Sequence, residues 1–173
     1  MSRLTPFSYA VLVLVGDSGA GPHDLVRMMR QGRVYWTAPE SQYYAEPKRL
    51  AEAGYLSATK EPGRTHERTH YRLTDKGREA LREWLATPAP FARIQNEPVV
   101  RVLGAEFADR ETVLGGLGGL REQIAELTAG LDAAREHEPS LPRRAAALEL
   151  NQSLARRILQ AHLDWLDEVE EKL

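Results

Sequence analysis

Apolar residues recur along most of this chain at helical spacing, with one short interval of strand-like texture. Thr5-Pro6 sets a capping hydroxyl before a proline at the first helical position, and the apolar run Ala10 to Val15 follows. This predicts a buried first helix that stops at Gly16-Asp17-Ser18-Gly19. A second helix is predicted from Pro22, with His23 and Asp24 in its first turn and Leu25, Val26, Met28 and Met29 as its apolar side. Arg30-Gln31-Gly32 reads as its end, glycine suiting a left-handed cap. Beyond the connector Val34-Tyr35-Trp36, a third helix is expected from about Pro39 or Ser41 to Ala53, closed by Gly54. Tyr55-Leu56 then opens a strand, Pro62-Gly63 and its polar neighbours form a loop, and Thr69-His70-Tyr71-Arg72-Leu73 returns as a second strand. Thr74 caps a fourth helix from Asp75 to about Ala86, with Ala80, Leu81, Trp84 and Leu85 on one face.

Three helices, a hairpin and a further helix within residues 1–86 follow the layout of a winged helix-turn-helix, in which Trp36 and Trp84 are expected to fill the core. Residues 87–98 contain Pro88, Pro90 and Pro98 and read as a linker. Residues 99–173 are expected to form a helical dimerisation region. Val99, Val100, Val102, Leu103 and Phe107 fit a short apolar helix. Val113, Leu117, Leu120, Ile124, Leu127 and Leu131 then recur every three or four residues, the seam of a coiled-coil-like helix. Pro139-Ser140-Leu141-Pro142 interrupts the chain before a last helix from about Arg143 to Lys172. Its stripe Leu150, Leu154, Ile158, Ala161, Trp165 and Val169 is widened by Leu148, Leu159, Leu163 and Leu166. So broad an apolar surface needs two neighbours, its own hairpin mate and the same region of a second chain. The dimer contacts are expected at Leu117, Leu120, Ile124, Leu127, Leu131, Leu154, Ile158 and Trp165. The fold class is therefore mainly α with a small β-hairpin, a winged helix followed by an antiparallel pair of long helices.

Composition narrows the chemistry. Hydrophobic residues at 42% and charged residues at 28% describe a globular rather than a disordered chain. With no cysteine there is no disulfide, thiolate metal ligand or cysteine nucleophile. The apolar run near the N-terminus is too short to span a bilayer and lacks a small-residue cleavage site, so a buried helix is expected rather than a signal segment. A cytoplasmic protein with no membrane partner is the expectation. The net charge of −2 conceals an asymmetry: residues 1–86 hold 13 Lys+Arg against 10 Asp+Glu, and the rest hold 10 against 15. A mildly basic half and an acidic half suit different partners, and only the first suits a polyanion.

On the third helix, Tyr43, Pro47 and Leu50 fall on a core face, while Ser41, Tyr44 and Lys48 fall on another. A hydroxyl, a phenol and an ammonium on one face are donors suited to phosphates and base edges in a major groove. Ser41, Gln42 and Tyr44, near the helix start, are candidates for base readout, and Lys48 for a phosphate contact. From Thr59 to His70 the hairpin holds no large apolar side chain but carries Lys60, Arg64 and Arg68, a cationic loop fit for phosphates. His66-Glu67-Arg68-Thr69-His70 spells the zinc-peptidase pattern H-E-x-x-H. That chemistry needs a helix anchored by an apolar face, which this segment does not supply, so no metal or other cofactor is expected. Gly115-Gly116-Leu117-Gly118-Gly119 follows no strand and is not a phosphate cradle; a kink, a late helix start or close helix approach would each account for it. His137 and His162 read as isolated surface or interface residues. Trp165 sits on the last helix's seam, where dimer packing is its ordinary role and stacking on a flat ligand the alternative.

Taken together, the chain resembles the PadR family of bacterial transcriptional regulators. The likeness lies in Leu4-Thr5-Pro6-Phe7-Ser8-Tyr9-Ala10-Val11-Leu12, in Ser41-Gln42-Tyr43-Tyr44 through Lys48-Arg49-Leu50 and Gly54-Tyr55-Leu56, and in Tyr71-Arg72-Leu73-Thr74-Asp75-Lys76-Gly77-Arg78. The C-terminal His162-Leu163-Asp164-Trp165-Leu166 resembles the family's dimerisation region. The resemblance implies a homodimeric repressor on an inverted repeat in double-stranded DNA, with Tyr44 at the family's recurrent recognition-helix tyrosine. It also implies a small aromatic or hydrophobic effector as partner. Pro47, where a leucine is more usual, removes one helical hydrogen bond, and Pro98 opens a segment more often continuous. The rival classes are a winged helix used for protein contacts and an H-E-x-x-H zinc hydrolase.

Overall fold

A computed structural model of the chain describes residues 4–31, 34–36, 38–62, 67–92, 94–136 and 144–173. It divides into two units, Met1–Gly32 with Trp36–Pro90, and Arg33–Tyr35 with Phe91–Leu173.

In the first unit, helix α1 (Pro6–Val15) begins with a reciprocal box. The Ser8 amide donates to the Thr5 hydroxyl and the Thr5 amide to the Ser8 hydroxyl, satisfying two donors that a helix start leaves orphaned. Helix α2 (Pro22–Gln31) and helix α3 (Gln42–Glu52) pack with α1 around Val11, Leu12, Val15, Leu25 and Leu50, all inaccessible to water. Helix α3 continues through Pro47, whose ring is buried, so the lost backbone bond does not end the helix. It stops at Gly54, which adopts φ +80°, and Lys76 donates to the Ala53 carbonyl just before it. Strands β1 (Leu56–Glu61) and β2 (Arg68–Leu73) form an antiparallel hairpin. Ala20, in the turn after α1, bridges Tyr71 and adds a third, one-residue strand beside β2. Helix α4 (Asp75–Leu85) is capped by the Thr74 hydroxyl.

The core differs from expectation at one tryptophan. Trp36 packs against the cluster, stacked on Phe7 with ring centroids 6.4 Å apart. Trp84 does not fill the core. Its indole lies flat on Tyr9, centroids 4.8 Å apart, and remains 36% exposed. The small residues Gly77 and Ala80 are what α4 buries, leaving the indole at the margin.

The second unit begins its regular structure at helix α5 (Glu97–Leu103), where Pro98 sits in the first turn, the position that tolerates proline. The described residues between Thr87 and Asn96 form neither helix nor strand. A 3-10 turn (Ala105–Phe107) leads to helix α6 (Arg110–Leu117), capped by the Asp109 carboxylate. Helices α7 (Leu120–Glu136) and α8 (Ala145–Lys172) then run antiparallel. Arg121 near the start of α7 pairs with Asp167 and Glu170, whereas Asp132, a few turns on, pairs with Arg156. The seam from Val113 to Leu131 is not one helix: the chain turns at Gly118-Gly119 between α6 and α7. A Cβ at Gly115 would meet nothing within 4 Å, so close helix approach is not the reason for that residue. The glycines mark a helix break and a late start for α7. No helix among the described residues is long and apolar enough to cross a membrane.

Candidate nucleic-acid interface

The first unit presents α3 and the hairpin. Tyr43, Pro47 and Leu50 are buried, as their spacing of four and three requires. On the other face Ser41, Gln42, Tyr44 and Lys48 are exposed, with Tyr44 at 46% despite its aromatic ring. Ser41 occupies the cap position but its hydroxyl makes no capping bond, because its backbone is already helical, so that oxygen is left for an outside partner. Lys48 has no hydrogen-bond or ion-pair partner among the described residues. A phenol, a hydroxyl, an amide and an unneutralised ammonium are groups able to meet phosphates and base edges.

Polar contacts fix this helix on α1. Arg49 donates to both oxygens of Glu46, at 2.8 and 2.6 Å, and reaches the wholly buried Ser8 hydroxyl at 3.1 Å. Burial acts to raise the Glu46 carboxyl. The hydrogen bonds from Arg49 and Ser8 and the guanidinium charge outweigh it and hold that carboxyl below its ordinary value. The same carboxylate raises the Arg49 guanidinium, against burial. Sequence reasoning assigned no role to Ser8, Glu46 or Arg49. The available signal was a lone hydroxyl on the inward face of an otherwise apolar helix, which must find partners when buried.

The hairpin's register separates its cations. Leu56 pairs with Leu73, Ala58 with Tyr71 and Lys60 with Thr69, so these side chains share one face. Ser57 with Arg72, Thr59 with His70 and Glu61 with Arg68 share the other. Lys60 and Arg68 therefore leave opposite faces of the ribbon. Lys60 has no partner among the described residues, while Arg68 contacts Glu61 at 3.5 Å. Arg64 lies outside the described residues, as do His66 and His137. The part of the H-E-x-x-H segment that is described runs along β2 from Arg68 to His70, not along a helix.

In the second unit Leu117, Ile124 and Leu131 are buried against Ala155, Leu159 and Leu166 of the same chain. Leu120, Leu127, Ile158 and Trp165 are half-buried, and Leu154 is 53% exposed. His162 is not isolated: Nδ1 donates to the Ile158 carbonyl at 2.8 Å, leaving Nε2 to accept from the Asn96 amide at 2.9 Å. The sequence could not show this, because Asn96 is 66 residues away. The Tyr35 hydroxyl donates to the Asn151 carbonyl.

Residues 24–83, from the first turn of α2 almost to the end of α4, match the transcriptional regulator PadR-like family. Over that stretch the chain is similar to the PadR-like family. It is 29% identical over 101 residues to the negative transcriptional regulator PadR of Bacillus subtilis, a match spanning 57% of this chain and 51% of that relative. A probable transcriptional regulator of Mycobacterium tuberculosis is 27% identical over 185 residues, covering 95% of this chain and 96% of that protein. In fold, the chain is similar to Bacillus subtilis PadR in complex with operator DNA, with a TM-score of 0.81 at 20% identity over 96% of this chain and 98% of that one. It is also similar to the same regulator in complex with p-coumaric acid, at TM-score 0.64 and 18% identity over 95% and 98%. Both of these sequence relatives are described as transcriptional regulators. Within the family match lie α3 and the whole hairpin.

Proposed function

We propose that this PadR-like regulator is a homodimeric repressor that binds an inverted repeat in double-stranded DNA and is released by a small aromatic or hydrophobic effector. The observation that carries the reading is the outward face of α3, where Ser41, Gln42, Tyr44 and Lys48 stand exposed opposite a buried face. In this reading Ser41, Gln42 and Tyr44 meet base edges, and Lys48, Lys60, Arg64 and Arg68 meet phosphates. Lys60 and Arg68, on opposite faces of the hairpin, suit a ribbon that enters between two phosphate backbones.

One winged helix offers few base contacts, and a two-fold dimer doubles them by setting two recognition helices about one DNA turn, roughly 34–36 Å, apart. The exposed apolar residues of α5 and α8, Leu103 and Leu154 among them, supply a surface for that partner, continuous in kind with the expected seam of Leu120, Leu127, Ile158 and Trp165. The effector class follows from p-coumaric acid, bound by the Bacillus subtilis relative, and Trp165 is the aromatic proposed to meet it.

Selection from random duplexes at two salt concentrations tests the reading. The expected product is a palindromic site preferred over bulk competitor, with affinity falling steeply as salt rises. Tyr44→Ala should weaken binding to that site by about tenfold or more, a loss of ~1–3 kcal/mol, and leave the dimer intact. A protein that selects no duplex, or a Tyr44→Ala variant with unchanged affinity, overturns the reading or the residue respectively.

A further inference from the structure

His70 lies midway along the hairpin, opposite Thr59, with its side chain only 15% exposed and packed over the turn between α1 and α2. Gly19 in that turn, at φ +78°, has no room for a Cβ because the imidazole and the Tyr71 carbonyl already occupy the space. The ring faces two oxygens. Nε2 lies 3.4 Å from the Ser18 carbonyl, and Nδ1 lies 3.9 Å from the Glu61 carboxylate. With Nε2–H donated to Ser18, a neutral ring turns its Nδ1 lone pair toward the Glu61 carboxylate, which repels it. A protonated ring turns an N–H to the same oxygen, making an ion pair.

That carboxylate has a second claimant. Glu61 Oε2 is also the atom that Arg68 Nη2 approaches, at 3.5 Å. Register puts Glu61, Arg68 and His70 on one face of the ribbon. The other charged groups nearby are engaged elsewhere or point to solvent. Asp17 in the α1–α2 turn pairs with Arg78, and Asp24 at the start of α2 holds Arg27 and the Gly21 amide. Arg72, two residues along the same face, and Glu67, just before β2, have no ion-pair partner among the described residues.

We propose that His70 is a positioning residue for the wing: when it carries a proton it takes the Glu61 carboxylate and releases Arg68 to DNA phosphate, and when neutral it leaves Arg68 on Glu61. The proposal rests on the reading of the hairpin as a phosphate-contacting wing. Histidine is the side chain whose charge ordinarily changes near neutrality, so the device makes operator affinity rise on mild acidification. Releasing one exposed ion pair in favour of a phosphate is an effect of about fivefold, accompanied by a salt dependence steeper by about one.

The test measures affinity for the selected duplex and for a scrambled one between about pH 5.5 and pH 8, at two salt concentrations, with thermal melting as a check on folding. Other histidines contribute to any pH profile, so the readout is the difference between wild type and variants. His70→Gln keeps a donor for Ser18 but never carries charge; it should lose about fivefold of the acid-induced gain and the steeper salt slope. Glu61→Gln should bind about fivefold more tightly than wild type at pH 8 and show no further increment from this site. A His70→Gln variant that melts like wild type and retains the full increment overturns the assignment while the regulatory reading stands. Should His70→Gln melt early, a Glu61→Gln variant retaining the full increment overturns it equally. Absence of preference for any duplex at either pH overturns the reading and the proposal with it.

Discussion

In the first unit the apolar side chains converge: Leu12, Leu25 and Leu50 are shut off from water, and even the hydroxyl among them, on Ser8, has its partners. In the second they diverge. Ile124 and Leu131 of α7 and Leu159 of α8 close a seam, yet Phe107 is 85% exposed and Leu103 is 81% exposed. A unit that buries its own core leaves its polar face to act, whereas a unit that cannot do so leaves an apolar face to be covered. The difference agrees with the two proposed partners, a polyanion for the basic, closed unit and an apolar protein surface for the open one.

The largest expected effect tests the open unit. Leu103→Asp and Leu154→Asp place a charge on residues that touch little in the monomer, so each chain should fold with an unchanged melting profile in its first unit. Self-association measured by sedimentation should weaken by about a hundredfold for the pair, roughly 2.7 kcal/mol. Operator binding should then fall to that of single winged helices. Wild-type self-association in the double variant would show that α5 and this turn of α8 lie outside the interface.

How much of this was legible in the sequence depends on the range over which each feature is decided. The start of α1 follows from Thr5-Pro6 and the two faces of α3 from spacing alone, because capping and helical period are local. Trp84 was misplaced because its burial is decided by how closely α4 approaches Tyr55, set by Gly77, and not by the apolar stripe on α4 itself. The break between α6 and α7 was hidden because Leu117 and Leu120 keep the three-four spacing across a turn that is not helical. For the site, the identity of the cations could be read directly, but not their division between two faces. That division follows from the register of β1 on β2, and a one-residue slip would reverse it. The contact of His70 with Ser18 spans 52 residues and has no local signal.

A middle-sized effect tests the closed unit. Glu46→Gln removes the charge that Arg49 and Ser8 hold between α1 and α3, and should cost about 1–2 kcal/mol in urea denaturation at neutral pH, with allowance for partial exposure of Arg49. The sign with pH is fixed by the lowered Glu46 carboxyl. Stability from this group is present above the ordinary carboxylate value of about 4.3 and is lost as pH falls through the lower folded value. Wild type should therefore lose stability more steeply on acidification than Glu46→Gln, and the two curves should converge in acid. Parallel curves would mean that Arg49 and Ser8 do not favour the ionised carboxyl in the folded state.

The smallest effect separates the units by their glycines. In the first unit Gly54 takes φ +80°, a conformation an L side chain resists, so Gly54→Ala is destabilising. In the second, Gly115 lies inside α6 with a negative φ and nothing within 4 Å of where a Cβ would stand. The physics there reverses: Gly115→Ala removes backbone entropy from the unfolded chain and meets no obstruction, so it should stabilise the second unit by about 0.5–1 kcal/mol. That gain, read as a higher denaturation midpoint at constant slope, would show that Gly115 is not required by packing within one chain. If the variant is instead destabilised only at concentrations where the chain self-associates, the missing methyl marks a place where a second copy comes close, and α6 joins α5 and α8 in the proposed interface.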